Sequence, residues 1–200
     1  MTLKAIALNG TLKAKGASST DHMIATLTAA FAKHDVEIVE TIRLADHNVL
    51  PGVKSDEGKG DAWPAIRAKI LAADILIFAG PIWMGQVSSV SKRALERMDA
   101  FLGETDDQGR MPSYSKVAIA AIVGNEDGAH HVSANMFQAL NDVGFTIPAV
   151  AACYWVGEAM GSKDYKDLEA TPRMVSKTAG MVAANAAHLA GLLKAHPYPG

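Results

Sequence analysis

Ala73–Lys92, ADILIFAGPIWMGQVSSVSK, decides how the remainder of the sequence is read. Ile75-Leu76-Ile77-Phe78-Ala79 is a continuous apolar run rich in β-branched and aromatic residues, the pattern of a strand covered on both faces in a parallel sheet. Gly80 and Pro81 are expected to end it. Ile82-Trp83-Met84-Gly85-Gln86 then reads as a loop carrying two large side chains, and Ser88-Ser89 as caps for a helix from near Val90. In open α/β sheets, ligands bind where strands give way to such loops.

Working outward, Leu3–Leu8 and Val36–Ile42 read as the first two strands, Val117–Val123 as the fourth and Phe145–Ala152 as the fifth. Helices are predicted from Met23 to Phe31, over Ala62–Ala72 and Val90–Leu102, after Gly128, and from a Thr171-Pro172 cap through Leu193. In the third helix Ala94, Met98, Phe101 and Leu102 are assigned to the core and Lys92, Arg93, Glu96, Arg97 and Asp99 to water. Ala45–Asp61 and Gly103–Ser115 are polar loops, the former a surface excursion suited to a lid or subunit contact. Strands alternating with helices imply an α/β, three-layer, doubly wound parallel sheet of five strands. Residues 1–194 are expected to form one domain and 195–200 a frayed tail.

Composition narrows the function. With 200 residues, 49% of them hydrophobic, one substantial core is affordable. A net charge of −2 from 19 basic and 21 acidic residues leaves no electrostatic footprint for nucleic acid or an anionic membrane. No apolar run approaches the roughly 20 residues of a membrane span, and Met1-Thr2-Leu3-Lys4 lacks a signal-peptide pattern, so a cytoplasmic location and small-molecule partners are expected. Cys153 is alone, which excludes an internal disulfide and a thiolate cluster. His130-His131 with Glu126 and Asp127 lack a third ligand of suitable spacing, so no metal is expected.

Three loops carry the candidate chemistry. Asn9 to Thr20 joins a strand to a helix start and offers Thr11, Ser18, Ser19 and Thr20 as hydroxyl donors and Lys13 as a cation, an arrangement that suits a phosphate. One of Ser18 and Ser19 is also explained as a helix cap alone. Pro81, Ile82, Trp83, Met84 and Gly85 follow the third strand, where Trp83 and Met84 either wall a flat ligand or pack as filler. Gly124, Asn125, Glu126, Asp127 and Gly128 follow the fourth, either as backbone N–H donors or as an ordinary turn. The first loop fits neither Gly-x-Gly-x-x-Gly nor the Walker A pattern, since Gly16 is followed by Ala17-Ser18.

Gly10-Thr11-Leu12-Lys13 through Ser18-Ser19-Thr20, Pro81-Ile82-Trp83-Met84-Gly85 and Gly124-Asn125-Glu126-Asp127-Gly128 together resemble the three FMN-binding loops of flavodoxin-like NAD(P)H-dependent FMN reductases, over roughly Leu3 to Trp155. Thr11 and Lys13 stand where that family has serine and arginine, and Trp83 where it has tyrosine. The Ala45–Asp61 loop lacks the cysteines of iron–sulfur flavoproteins, and the second loop lacks the Pro-Thr-Arg-Phe-Gly of the most flavodoxin-like quinone reductases. The resemblance implies strand order 2-1-3-4-5, FMN held by the three loops, NADPH or NADH as electron donor, a small acceptor such as a quinone, nitro compound or free flavin, and a homodimer or homotetramer. No catalytic side chain is required, because the flavin N5 carries the chemistry. Two other readings stand beside it: an electron-transfer flavodoxin, which the near-neutral charge disfavours, and a sheet domain without flavin, which the intact hydroxyl loops disfavour.

Overall fold

The computed structural model describes residues 2–200. Its strands are β1 (Leu3–Asn9), β2 (Val36–Arg43), β3 (Ile75–Trp83), β4 (Gln86–Val87), β5 (Val117–Gly124) and β6 (Ala152–Val156). Its helices are α1 (Ser19–Phe31), α2 (Trp63–Ala72), α3 (Ser89–Met98), α4 (Ala129–Asp142) and α5 (Arg173–Ala195). The parallel strands run in the order β2-β1-β3-β5-β6. This is the predicted order 2-1-3-4-5, with the numbering displaced by the two-residue β4, which pairs antiparallel with the end of β3.

Two apolar layers sandwich the sheet. Ala5, Ala7, Ile75, Ile77, Ile119 and Ala121 pack under α1 and α5, while Ile6, Leu8, Leu76, Phe78, Ala118 and Ala120 pack under α2, α3 and α4. Successive residues of one strand thus serve opposite layers, which is why β3 and β5 read as unbroken apolar runs. In α5, Ala179, Ala183, Ala186 and Ala190 face the sheet. Cys153 lies in the same layer, and burial pushes its thiol up to about 12.

Several expectations are corrected. The strand opened by Ile75 does not end at Gly80-Pro81 but continues to Trp83. Its neighbour β1 stops at Asn9, opposite Ala79, so β3 has an open side beyond that point and tolerates a residue without N–H. The last strand is Ala152–Val156 rather than Phe145–Ala152. Thr146 makes one isolated bridge to Val117, after which Pro148 and a left-handed Val150 (φ 55°) break the ladder before it resumes. α5 starts at Arg173, with Pro172 rather than Thr171 in the cap position. The tail is docked and not frayed: the Tyr198 N–H donates to Ser115 Oγ at 2.9 Å, and Thr146 Oγ1 donates to the Tyr198 hydroxyl at 3.1 Å. Just before it, the Lys194 ammonium reaches Asp74 at the foot of β3.

Two assignments on the third helix fail as well. Leu102 is 50% exposed, because the chain tightens into a 3-10 turn over Asp99–Gly103 and leaves the α-helical phase. Arg97, assigned to water, is fully buried and meets the equally buried Asp61 at 2.7 Å. Its other donors go to the carbonyls of Leu50 and Lys54, and its guanidinium lies over the Trp63 ring. One side chain thereby satisfies the backbone of the irregular 45–61 loop and fastens it to α3. Burial pushes the Asp61 carboxyl up, yet the Arg97 guanidinium and the N–H groups of Glu57, Trp63 and Leu50 outweigh it and hold that carboxyl well below the usual carboxylate range.

Arg97→Ala is expected to cost about 3–5 kcal/mol of unfolding free energy, since it leaves a buried carboxylate without its partner. Asp61→Asn tests the sign of the pH linkage. A carboxyl with a depressed folded pKa adds stability above its unfolded value of about 4 and loses it as the pH falls further. Denaturant melts should therefore show the largest gap between native protein and Asp61→Asn near pH 7, narrowing below pH 4. A gap independent of pH would contradict the assignment.

Candidate active site

Because β1, β3 and β5 run parallel, their following loops converge on one edge of the sheet, where they enclose a cavity of about 470 Å³. The β1–α1 loop contributes Thr11, Lys13, Ala17, Ser18, Ser19 and Thr20. The end of β3 contributes Pro81, Ile82 and Trp83, and the end of β5 contributes Val123, Gly124, Asn125 and Glu126. Trp155 of β6 and Met160, Asp164 and Lys166 of the segment before α5 close the remaining side.

At the α1 end the hydroxyls divide by role. Ser18 is the cap: its Oγ accepts the Asp21 N–H at 3.1 Å and donates to the Asp21 carboxylate at 2.8 Å. Ser19 Oγ accepts the Lys166 N–H at 3.3 Å. Among the described residues no partner engages the Thr11 or Thr20 hydroxyl or the Lys13 ammonium. The loop is shaped from behind. The side-chain oxygen of buried Asn9 accepts the Thr11 N–H, its amide nitrogen donates to Asp21, and Arg43 pairs with Asp21 while donating to the carbonyls of Gly16 and Lys13. Gly10 lies so close to α3 that a Cβ there would sit 1.9 Å from Ser91 Oγ. Ser88, the α3 cap, donates to the Gly10 carbonyl at 2.6 Å.

At the far end, Trp83-Met84-Gly85-Gln86 is a tight β3–β4 hairpin with φ of 51° at Met84 and 72° at Gly85, the signature of a primed turn. Met84 is 88% exposed and lies off the cavity lining, whereas Trp83, 49% exposed, is on it. Gly85, Asp127 and Gly128 also lie outside the lining. Glu126 does more than offer its backbone, because its carboxylate accepts the N–H groups of Met84 and Gly85 at 2.9 and 3.2 Å and so fastens the second loop to the third. A Cβ on Gly128 would sit 2.8 Å from the Gly85 Cα, so only glycine allows the two loops to meet. The Asn125 amide nitrogen donates to Asp164 at 2.9 Å, which fixes its orientation and leaves its oxygen buried without a partner.

The sequence reading did not reach Asn9, Asp21, Arg43, Asp164 or Lys166. Asn9 and Asp21 flank the hydroxyl loop and carry that much signal, whereas Arg43, Asp164 and Lys166 arrive from distant segments. His130 lies off the lining, with its ring hydrogen-bonded to the Tyr154 hydroxyl at 3.1 Å, and His131 meets Gln86 and Asn135. Among the described residues no group of three or more His, Cys, Asp or Glu is arranged to hold a metal ion. No helix there is long and apolar enough to cross a membrane.

Glu126→Ala is expected to release the hairpin. Hydrogen exchange at the Met84 and Gly85 amides should quicken by about tenfold or more, the loss of a charge-assisted hydrogen bond of about 1.5–3 kcal/mol, while the β3 and β5 amides keep their protection.

Residues 3–160 match the NADPH-dependent FMN reductase family. The chain is 32% identical to the 8-demethyl-8-aminoriboflavin-5'-phosphate synthase of Streptomyces davaonensis, over 99% of this chain and 81% of that protein. It is 37% identical to the divalent metal cation transporter MntH of Mycobacterium bovis, over 82% of this chain but spanning only 25% of the transporter's length. Among solved structures, RosB with bound 8-demethyl-8-formylriboflavin-5'-phosphate superposes with a TM-score of 0.87 at 32% identity, covering 98% of this chain and 82% of that one. An apo NADH:FMN oxidoreductase, EmoB, shares the fold with a TM-score of 0.66 at 18% identity, covering 94% and 89%. The chain belongs to the NADPH-dependent FMN reductase family, flavin-dependent oxidoreductases of flavodoxin-like fold.

Proposed function

We propose that the chain binds FMN in this cavity and passes electrons from NADPH or NADH to a small acceptor, such as a quinone, a nitro compound or free flavin. The carrying observation is the convergence of three loops on one cavity whose lining combines the hydroxyls and lysine at the start of α1 with the indoles of Trp83 and Trp155. The residues fit the group. Thr11, Thr20 and Lys13 have free polar atoms beside the first turn of α1, where backbone N–H groups and the helix dipole favour a phosphate. Trp83 and Trp155 offer flat apolar walls for a ring system, and the unpartnered Asn125 oxygen is an acceptor in want of a donor. The cavity volume lies within the range of about 300–1,000 Å³ typical of small-molecule sites.

When bound, FMN supplies the two-electron redox chemistry at its N5. The side chains have the remaining tasks. Lys13 and the threonines would hold the phosphate, and Trp83 and Trp155 would shield the ring from water. Glu126 keeps Trp83 in place by fixing the turn that follows it. Exposed Trp83 and Met84 suit a homodimer or homotetramer in which a second copy helps close the site.

A second reading has its own support. The synthase of Streptomyces davaonensis, named for a modified riboflavin phosphate, aligns along almost all of this chain, including the segment beyond residue 160 that completes the cavity. On that reading the flavin phosphate is substrate and leaves altered.

Protein reconstituted with FMN is expected to be yellow at about one flavin per chain, to lose that colour anaerobically with NADPH or NADH, and to regain it on adding a quinone, with the recovered flavin unchanged in mass. A flavin of altered mass would favour the second reading. Failure with both nicotinamides would favour an electron-transfer role, and failure to bind FMN would remove the proposal. Thr20→Ala and Lys13→Ala should each weaken FMN by about tenfold and riboflavin little, because only FMN carries the phosphate.

A further inference from the structure

The β6–α5 connection closes the cavity with Met160, Asp164 and Lys166, of which the last two lie beyond the family match at residue 160. Within it Lys166 has an unusual position. Its backbone N–H donates to the hydroxyl of Ser19 in the phosphate-loop helix start, and the residue lines the cavity together with Ser18, Ser19 and Thr20. It also borders a neighbouring groove lined by Ala17, Ser18, Asp21, His22 and Asp167. The ammonium contacts Asp167 at 2.7 and 2.8 Å and Asp164 at a longer 3.3 Å. The other oxygen of Asp164 holds the Asn125 amide.

Charge gives this arrangement a purpose. Asp21, beside the first turn of α1, is already compensated by Arg43. Among the described residues Asp164 and Asp167 share one cation, Lys166; Asp164 lines the cavity proposed for FMN, and Asp167 lines the adjoining groove beside Ser18. A phosphate could not approach two carboxylates unless a positive group lay between them. A lysine ammonium is a compact charge with three donors on a flexible stem, able to exchange the long Asp164 contact for a phosphate oxygen without losing Asp167.

We propose that Lys166 is a second phosphate-binding cation, supplied by the β6–α5 segment in addition to Lys13, and that it sets the preference for the phosphorylated flavin. The assignment rests on the flavin reading of the cavity. Asp167 is then a positioning residue that parks the ammonium, and Asp164 links it to Asn125 in the loop after β5.

The test is the dissociation constants of FMN and riboflavin, from quenching of flavin fluorescence, for the native protein, Lys166→Met, Lys166→Arg and Asp167→Asn. Lys166→Met should weaken FMN by about tenfold or more and riboflavin by less than about threefold, the loss of one charge-assisted contact. Lys166→Arg should restore most of the FMN affinity. Asp167→Asn should tighten FMN more in the native background than in Lys166→Met, which separates release of the ammonium from the mere loss of a negative charge. Equal weakening of both flavins by Lys166→Met, or no weakening, would overturn the proposal. If the native protein binds neither flavin, the flavin reading itself has failed. Inorganic phosphate titrated against tryptophan fluorescence then decides: a response in the native protein that Lys166→Met abolishes supports the Lys166 assignment, and the same response in both, or none in either, overturns it.

Discussion

Helices cover both faces of the sheet, so β3 and β5 carry no polar side chain along their length, and up to Ala79 the backbone groups of β3 are satisfied by its parallel neighbours. That double burial confines all the polar chemistry to the edge where the strands end. Parallel pairing then brings every such ending to the same edge, and three loops far apart in sequence become walls of one cavity. The enclosing loops need anchors of their own, because irregular backbone cannot be left unsatisfied against a buried sheet.

Asn9 and Ser88 hold backbone groups of the first loop, and three further anchors are charged side chains turned on backbone amides or carbonyls. Glu126 accepts two N–H groups of the β3–β4 turn, Arg43 donates to two carbonyls of the first loop, and Arg97 holds the carbonyls of Leu50 and Lys54. Only the last is fully buried, and there the carboxylate of Asp61 supplies the countercharge that a buried guanidinium requires. The same device at different depths gives a deeply fixed loop at 45–61 and a more accessible turn at Met84.

The sequence disclosed the elements whose signal is local. The runs from Ile75 and Val117 are apolar without interruption because both faces are covered, and alternation of strand and helix leads directly to the sheet. The hydroxyls before α1 and the glycines around Glu126 were legible for the same reason. What was hidden depended on partners distant in the chain. Arg97 occupies a position flanked by water-facing residues and gives no sign that Asp61 awaits it 36 positions earlier. The Phe145–Ala152 run has the composition of a strand, but Pro148 and the left-handed Val150 deny it a continuous ladder. Met84 looked like a wall because it is large and follows Trp83, yet the turn geometry points successive residues in different directions. Lys166 is separated from Ser19 by 147 positions, and no pattern in either neighbourhood connects them.

The ends of the chain sit together on the side of the sheet away from the cavity. β1 begins there at Leu3, α5 returns to it where Lys194 meets Asp74, and Tyr198 docks against Ser115 and Thr146 near the feet of the strands. These contacts therefore lie at the opposite end of the strands from the cavity. The contacts that hold α5 to the sheet are thus kept apart from the loops that enclose the cavity, so the two can be altered separately.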